Sequence, residues 1–221
     1  MRTRVKICCI SSLEEARLAV RAGADALGLV AAMPSGPGVI DDSLIREIAL
    51  SVPPGVDTFL LSSRTDPEAI LAHVLDCRTS VVQLVDSVKP EVYFALRRGA
   101  PNVRIVQVVH VEGPEALQRA QSVAEDVDAV LLDSGCPDGK KRELGGTGRT
   151  HDWAVSRQIV QELSVPVFLA GGLDPSNAAR AIREVGPYGL DLCSGVRCGG
   201  RLDEESLLGF MQAVEEESPG R

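Results

Sequence analysis

The sequence predicts a parallel α/β protein, a single (β/α)8 TIM barrel, from two observations. Short apolar runs rich in Val, Leu and Ile alternate with helix-length amphipathic segments along all 221 residues. Reactive side chains or paired glycines follow directly after these runs, as Cys8, Asp133 and Gly171-Gly172 do. Alternation of this kind, with the chemistry at the strand C-terminal ends, is typical of a parallel barrel with one converging site.

The predicted strands are short and either β-branched or Leu-rich, which is typical of strands covered by helices. They cover residues 5–10, 26–31, 58–62, 81–85, 103–109, 129–133, 167–170 and 190–194. The first helix opens at Ser12 with a capping-type start and ends before Gly23. The other helices cover residues 41–50, 66–75, 89–98, 113–122, 152–163, 175–185 and 203–216.

The alternation continues without a linker, so we expect one domain over residues 1–221, with a frayed acidic tail over residues 215–221. An open doubly wound sheet is the competing fold. That fold favours a glycine-rich nucleotide loop after the first strand. The corresponding segment, Cys9-Ile10-Ser11-Ser12, contains no glycine. The closed barrel is therefore the favoured fold.

Composition narrows the possible functions. The net charge of −8 disfavours nucleic-acid partners. The sequence contains no apolar run of the roughly 20 residues that a membrane span needs. The six cysteines have no CxxC spacing and form no metal pattern with the three histidines, so we expect reduced thiols, no metal and a cytoplasmic protein. His73 and His151 are expected at the surface.

Cys8 and Asp133 are the candidate catalytic residues. Strand alternation places Lys6 and Cys8 on the inner face of the first strand and Cys9 on the outer face, against the helices. An ammonium beside a thiol favours the thiolate, which can act as a general base. Asp133 ends the sixth strand and points into the barrel mouth, where a semi-apolar setting suits a general acid. The alternatives are a small buried cysteine and a loop-capping aspartate.

Two glycine-containing loops predict a phosphate site. Gly171-Gly172 follow the seventh strand and Ser194-Gly195 follow the eighth, which are the two places where barrels often bind phosphate. Glycines let backbone N–H groups approach phosphate oxygens, and Ser194 can add a hydroxyl donor. The alternative is that these glycines only form tight turns.

Other residues can complete such a site. Gln83 on the fourth strand is expected to point inward and hydrogen-bond a ligand. Lys6 needs a partner if it faces the barrel interior, and Asp191 on the eighth strand is the candidate. The loops over residues 32–40 and 134–151 follow strands and contain several glycines, so we predict that both overhang the site as mobile lids.

Seven motifs taken in chain order carry a family resemblance. They are Lys6-Ile7-Cys8, Ala22-Gly23-Ala24-Asp25-Ala26-Leu27-Gly28, Val82-Gln83-Leu84, Leu131-Leu132-Asp133, Gly145-Gly146-Thr147-Gly148 with Asp152-Trp153, Leu169-Ala170-Gly171-Gly172-Leu173 with Asn177, and Ser194-Gly195-Val196. Together they resemble the phosphoribosylanthranilate isomerase family of tryptophan biosynthesis. The resemblance implies a (β/α)8 barrel whose members need no metal or organic cofactor.

The resemblance also implies a reaction, the Amadori rearrangement of N-(5-phosphoribosyl)anthranilate, a small phosphosugar, to a 1-deoxyribulose 5-phosphate. By this likeness Asp133 is the general acid that protonates the furanose ring oxygen, and Cys8 is the general base that removes the C2′ proton. The phosphate is expected at Gly172, Ser194 and Gly195. The predicted substrate-binding set is completed by Lys6, Gln83 and Gly171. A monomer or a homodimer is expected.

Several positions depart from the family pattern. Cys9 stands where the family usually has a glycine, and Gly38 stands where it has an arginine that meets the anthranilate carboxylate. Val85 replaces a histidine, and Arg197, a candidate anion contact or surface residue, replaces a glutamate. We therefore expect a poor grip on the aryl carboxylate, which Gly38→Arg would improve. The alternatives are a phosphosugar isomerase with another amine substrate and a non-catalytic phosphometabolite-binding barrel.

Overall fold

The computed structural model describes residues 2–134 and 152–217 and forms a closed parallel barrel, as predicted. The strands are β1 Arg4–Ile7, β2 Ala26–Val30, β3 Asp57–Ser62, β4 Val81–Leu84, β5 Arg104–His110, β6 Ala129–Asp133, β7 Val167–Leu169 and β8 Gly189–Leu192. The helices are α1 Leu13–Arg21, α2 Asp42–Ser51, α3 Pro67–Cys77, α4 Pro90–Gly99, α5 Ala116–Ala124, α6 Trp153–Glu162, α7 Ala178–Val185 and α8 Glu204–Glu217. Each strand pairs with the next in the chain, and β8 pairs with β1 to close the barrel.

The strands separate two apolar layers, because successive side chains point to opposite faces. Val5 and Ile7 of β1 belong to the outer layer, which packs against the helices. Val81, Val106 and Leu131 belong to the inner layer, which fills the barrel. Burial on both faces explains why the strands read as continuous apolar runs rather than as alternating ones.

Side-chain hydrogen bonds fix several of the predicted helix starts, those of α1, α3, α6 and α8. The Ser12 hydroxyl accepts the N–H of Glu15 at 3.2 Å, and the Glu15 carboxylate accepts the N–H of Ser11 at 2.9 Å. The start of α7 differs from the prediction: the helix begins at Ala178 rather than at residue 175. The physical reason is a turn in which the Asp174 carboxylate accepts the N–H of Ser176 at 2.8 Å before the helix begins.

The segment between β8 and α8 contains structure that the sequence did not predict. A 3-10 turn, Ser194–Val196, leads into a small hairpin of β9 (Arg197–Cys198) and β10 (Arg201–Leu202). The hairpin turns through Gly199-Gly200, whose positive φ angles of 56° and 80° suit a two-residue turn. This hairpin carries Arg197 back towards β1.

The structure contradicts one prediction about a histidine, and other predictions fall on residues that it does not describe. His73 is buried, so its predicted surface position is wrong; the face of α3 that carries it packs inward with Ile70, Val74 and Cys77. The predicted lid over residues 134–151 lies outside the described residues except for Ser134. The same is true of His151, which belongs to this lid, and of residues 218–221 in the predicted frayed tail. Within residues 2–134 and 152–217, no helix is long and apolar enough to cross a membrane.

Candidate active site

A cavity opens at the C-terminal ends of the barrel strands. Cys8 and Asp133 both line it, together with Gln83, Gly172 and Ser194. Its apolar lining includes Val30, Met33, Leu61, Val85, Val108, Ala170 and Leu192. The fold thus brings the ends of β1, β4 and β6 and the loops after β7 and β8 to one place.

Asp133 is the last residue of β6 and lies opposite His110 of β5 in the strand register. Its carboxylate accepts the N–H of Ser134 at 2.7 Å. Burial raises the pKa of Asp133 above its ordinary value, and the hydrogen bond from Ser134 and the nearby His110 only partly oppose this rise. A raised pKa favours the protonated carboxyl, which is the form that a general acid needs.

Lys6 lies beneath the cavity and is completely buried. Its ammonium donates a hydrogen bond to the Asp191 carboxylate at 2.8 Å, so the predicted pairing is confirmed. Burial alone would lower the pKa of Lys6, but the Asp191 carboxylate outweighs it and holds the pKa above the usual range. Lys6 therefore remains a cation inside the barrel. It is not among the residues that line the cavity, and neither is Gly195.

Gly28 of β2 brings the Cys8 thiol and the Lys6 ammonium together. A Cβ at this position would lie 2.7 Å from Cys8 Sγ and 3.0 Å from Lys6 Nζ. Both groups therefore lie against the same bare backbone. The Lys6 ammonium and the Cys8 sulfur are therefore neighbours inside the barrel.

Cys9 does not occupy its predicted place. Strand β1 ends at Ile7, and Cys9 adopts a φ of 61°, in the left-handed region that favours glycine. Its side chain lines the cavity instead of facing the helices. The prediction was wrong because the alternation of the strand stops before this residue.

The loop over residues 32–40 overhangs the cavity, as predicted, and Met33 and Pro37 form part of the lining. Gly38 in this loop has a φ of 76°. A Cβ there would lie 2.5 Å from Cys9 Cβ and 3.0 Å from Cys9 Cα. Cys9 therefore fills the space that a side chain at position 38 needs, which is a steric obstacle to the predicted Gly38→Arg replacement.

Arg197 is neither an anion contact of the cavity nor a surface residue. Its guanidinium donates to the Glu15 carboxylate at 2.8 and 3.0 Å and also to the Cys9 carbonyl. Its side chain is 10% exposed, and that of Glu15 is 11% exposed. The pair fastens the turn after β1 to the hairpin that follows β8.

The two predicted phosphate loops contact each other at the cavity. Gly171 and Gly172 have positive φ angles of 88° and 63°. Asn177 holds this turn, because its side chain donates to the Gly172 carbonyl at 2.9 Å. Gly195 lies against the same turn, where a Cβ would be 2.0 Å from the Leu173 carbonyl oxygen. Successive backbone N–H groups in such a turn can bind an oxyanion.

Gln83 supplies an unused polar group. It is buried, and within the described residues its Oε1 has no hydrogen-bond partner. Because a buried amide oxygen without a partner is costly, a ligand in the cavity is its natural partner.

Cys193, which also lines the cavity, was missed by the sequence analysis, although its position directly after β8 was an available signal.

Comparisons with known proteins agree with this geometry. The family model described as N-(5'phosphoribosyl)anthranilate (PRA) isomerase matches residues 5–213. A relative from Methanosarcina mazei, named N-(5'-phosphoribosyl)anthranilate isomerase 2, is 36% identical over 214 residues, covering 96% of this chain and 94% of the relative.

Solved structures give the same result. Phosphoribosyl anthranilate isomerase from Thermotoga maritima matches with a TM-score of 0.82 at 31% identity, covering 97% of this chain and 99% of that chain. A phosphoribosyl anthranilate isomerase in complex with reduced 1-(o-carboxyphenylamino)-1-deoxyribulose 5-phosphate matches with a TM-score of 0.79 at 29% identity, with the same coverage. The chain belongs to the N-(5'-phosphoribosyl)anthranilate isomerase family.

Proposed function

We propose that this protein isomerises N-(5-phosphoribosyl)anthranilate to 1-(o-carboxyphenylamino)-1-deoxyribulose 5-phosphate, an aldose–ketose (Amadori) step of tryptophan biosynthesis. One observation carries the assignment of roles: Cys8 and Asp133 line the same cavity as the glycine loops after β7 and β8. The reaction needs only proton transfers, which an acid and a base on opposite sides of one sugar can perform.

In the proposed mechanism Asp133 gives its proton to the furanose ring oxygen, and the C1′–O bond breaks to leave a protonated Schiff base. The Cys8 thiolate then removes the C2′ proton, and the electrons of that bond neutralise the iminium nitrogen to form an enolamine. The enolamine loses the proton of its 2′-hydroxyl and gains one at C1′, which gives the ketone. The raised pKa of Asp133 supports the first step, and the position of Cys8 in the lining of the same cavity supports the second.

Substrate contacts follow from the same arrangement. We assign the phosphate to the backbone N–H groups of Gly171 and Gly172 and to Ser194. We assign a sugar hydroxyl or the amine N–H to the unused Oε1 of Gln83. Lys6 and Gly195 act as positioning residues, because the cavity lining does not include them.

A second candidate is a related isomerase that acts on an amine without a carboxylate. Its support is that no arginine or lysine belongs to the cavity lining within the described residues. Turnover of phosphoribosyl arylamines with and without the carboxylate would decide between the two substrates. A preference for the amine without a carboxylate would change the proposed substrate. The proposed acid and base roles of Asp133 and Cys8 would stay the same.

The test of mechanism is single-residue replacement with turnover followed by loss of the aminoribose substrate. We expect Asp133→Asn and Cys8→Ser each to lower kcat by roughly 10²–10⁴-fold while product binding is kept. Cys198→Ser is the matched control, since that thiol is exposed. Near-normal turnover in either variant would remove that residue from the mechanism. Phosphosugar binding by an inactive wild type would point to a non-catalytic barrel.

The pH profile gives an independent check on Asp133. Because the acid must be protonated, kcat/KM of the wild type should fall as the pH rises through the raised pKa of Asp133. The residual activity of Asp133→Asn should lack this basic limb. The same limb in both enzymes would assign the acid to another group.

We also infer a cytoplasmic location and a monomeric or homodimeric state. The cysteines of the described residues, Cys8, Cys9, Cys77, Cys193 and Cys198, are free thiols, which suits a reducing compartment. A solved structure of the Thermotoga maritima relative is of monomers generated from the dimeric enzyme. Light scattering of the purified protein would settle which state applies here.

A further inference from the structure

Three potential metal ligands meet on the outside of the barrel, between α2 and α3. Asp42 is the first residue of α2, and His73 and Cys77 lie four residues apart on one face of α3. Their ligand atoms all lie within 4.8 Å of one another. We propose that Asp42, His73 and Cys77 form a binding site for a divalent cation of the zinc class, separate from the isomerase site.

The ligand set indicates the class of metal. A thiolate, an imidazole and a carboxylate together suit zinc and its neighbours in the first transition row, whereas calcium and magnesium select oxygen. Tetrahedral zinc, with bonds of about 2.0–2.3 Å, separates its ligand atoms by about 3.3–3.7 Å. Asp42 Oδ1 and His73 Nε2 are already 3.1 Å apart. Small side-chain movements would therefore complete the geometry.

The surroundings hold His73 in a ligating orientation. Its other ring nitrogen, Nδ1, lies 3.3 Å from the Ser62 hydroxyl at the end of β3. An oxygen on the far side of the ring is the usual support of a metal-ligating histidine. His73 is 3% exposed and Cys77 is fully buried, while the Asp42 side chain is 38% exposed. A cation can therefore reach the site past Asp42, where a water would complete the coordination.

The neighbouring cations leave one carboxylate oxygen available. Arg64 lies 3.7 Å from Asp42 Oδ2, on the oxygen that does not face His73. Arg46 is bound to the side chain and carbonyl of Asp76. A simple hydrogen bond between Asp42 and His73 is the competing explanation of the cluster. In that explanation Cys77 is only a buried core residue, whereas a metal would use its thiol as the third ligand.

Binding must release a proton, since the thiolate is the form of cysteine that ligates metal. The Cys77 sulfur donates its electron pair to the cation, and its proton passes to the buffer. His73 ligates through the neutral ring. No electron is transferred.

Cobalt(II) is a suitable probe, because it takes the place of zinc and absorbs light when a thiolate ligates it. We expect the full-length protein to bind one cobalt ion with a thiolate-to-cobalt absorption band, and zinc to displace it. Cys77→Ser should abolish the band, and His73→Gln should weaken binding at least tenfold. Ser62→Ala should weaken it roughly 10–100-fold through loss of the support.

Two controls make the experiment decisive. Cys198→Ser removes an exposed thiol and should leave the band unchanged, and the circular dichroism spectrum of each variant reports whether it folds. A protein without a saturable band overturns the proposal. A band that survives Cys77→Ser but is lost in Cys8→Ser also overturns it, because the metal would then sit in the barrel mouth. Isomerase turnover is measured separately, so failure of one proposal leaves the other standing.

Discussion

Gly195 joins the two proposed phosphate loops through a contact that leaves no room for a side chain. A Cβ there would lie 2.0 Å from the Leu173 carbonyl oxygen and 2.9 Å from Asp174 Cα. Gly28 works similarly beneath the thiol of Cys8, where a Cβ would lie 2.7 Å from the sulfur. At both positions the absence of a Cβ lets groups of the site approach the glycine backbone closely.

A single added methyl group tests the phosphate loops. In Gly195→Ala the turn after β7 must move away, so the N–H groups of Gly171 and Gly172 lose their alignment. We expect KM for the phosphosugar to rise about tenfold or more, with a smaller change in kcat, because the phosphate contact is made in both the ground state and the transition state. Steady-state kinetics measure both parameters.

Gly209→Ala is the matched control for this prediction. Gly209 lies in α8, and a Cβ there would meet only Pro175 Cβ at 3.9 Å, an ordinary contact. Its KM should equal that of the wild type. An unchanged KM in Gly195→Ala would move the phosphate away from these loops.

Residues on regular strands were predictable, whereas some of those just beyond the strands were not. The two-residue period of β1 correctly placed Lys6 inside the barrel, where it meets Asp191. Cys9 was misplaced because its left-handed backbone is imposed by the turn and not encoded in the alternation. Glu15 and Arg197 are 182 residues apart, and no local pattern in the sequence connects them.

The loops after β1 and β2 interlock through Cys9 and Gly38. The Cys9 side chain occupies the space next to Gly38, and both residues have positive φ angles, 61° and 76°. The family pattern has the opposite arrangement, with glycine at the first position and arginine at the second. We therefore infer that the departures at positions 9 and 38 are coupled, because a side chain at one position takes the space that a side chain at the other would need.

A double-mutant cycle tests this exchange. Gly38→Arg alone should destabilise the protein, because of the contact with Cys9 and the left-handed backbone, which costs roughly 1–2 kcal/mol for a side chain. In a Cys9→Gly background the 2.5 Å contact with the Cys9 side chain is removed and the 3.0 Å approach to the Cα remains, so the cost should be smaller by at least about 1 kcal/mol. Urea unfolding of the four proteins measures this coupling energy.

Kinetics extend the same cycle to the substrate. Only the variant with both changes should lower KM for the anthranilate substrate, because only there can the arginine side chain enter the mouth. An equal stability cost of Gly38→Arg in both backgrounds would show that the two loops do not share this space.

Elements were predictable where one local pattern decided them. The amphipathic period and the Asp66-Pro67 start placed α3, whose first helical residue is Pro67. The Asp174-Pro175 start looks the same in sequence, yet α7 begins at Ala178 because Asp174 closes a turn with Ser176 first. In this turn Asn177 also donates to the Gly172 carbonyl, a contact that the Asp174-Pro175 pattern alone does not predict.

The whole barrel is closed by contacts between the two ends of the chain. Strand β1 pairs with β8, and the buried Lys6–Asp191 pair joins the same two strands. Glu15 and Arg197 join the segments just beyond them. A buried ion pair is costly to break, because the remaining charge has no partner, so these closures make global stability depend on the charge of Glu15.

The acid stability of the molecule should therefore depend on Glu15. Burial alone would raise the pKa of Glu15, but Arg197 and the N–H groups of Leu202 and Ser11 lower it from 4.5 to about 2. Because the pKa is lower in the folded state, the stabilisation is fully present above the ordinary value and is lost as the pH falls towards 2. It amounts to about 3 kcal/mol.

Glu15→Gln should lose this amount at pH 7 and show a correspondingly smaller decrease in unfolding free energy between pH 6 and pH 2. Urea unfolding at several pH values measures both effects, and the difference from the wild type removes the contribution of the other carboxylates. Glu14→Gln, at the exposed neighbouring position, should follow the wild-type curve. Parallel curves for Glu15→Gln and the wild type would mean that the Glu15–Arg197 pair does not contribute to closing the barrel.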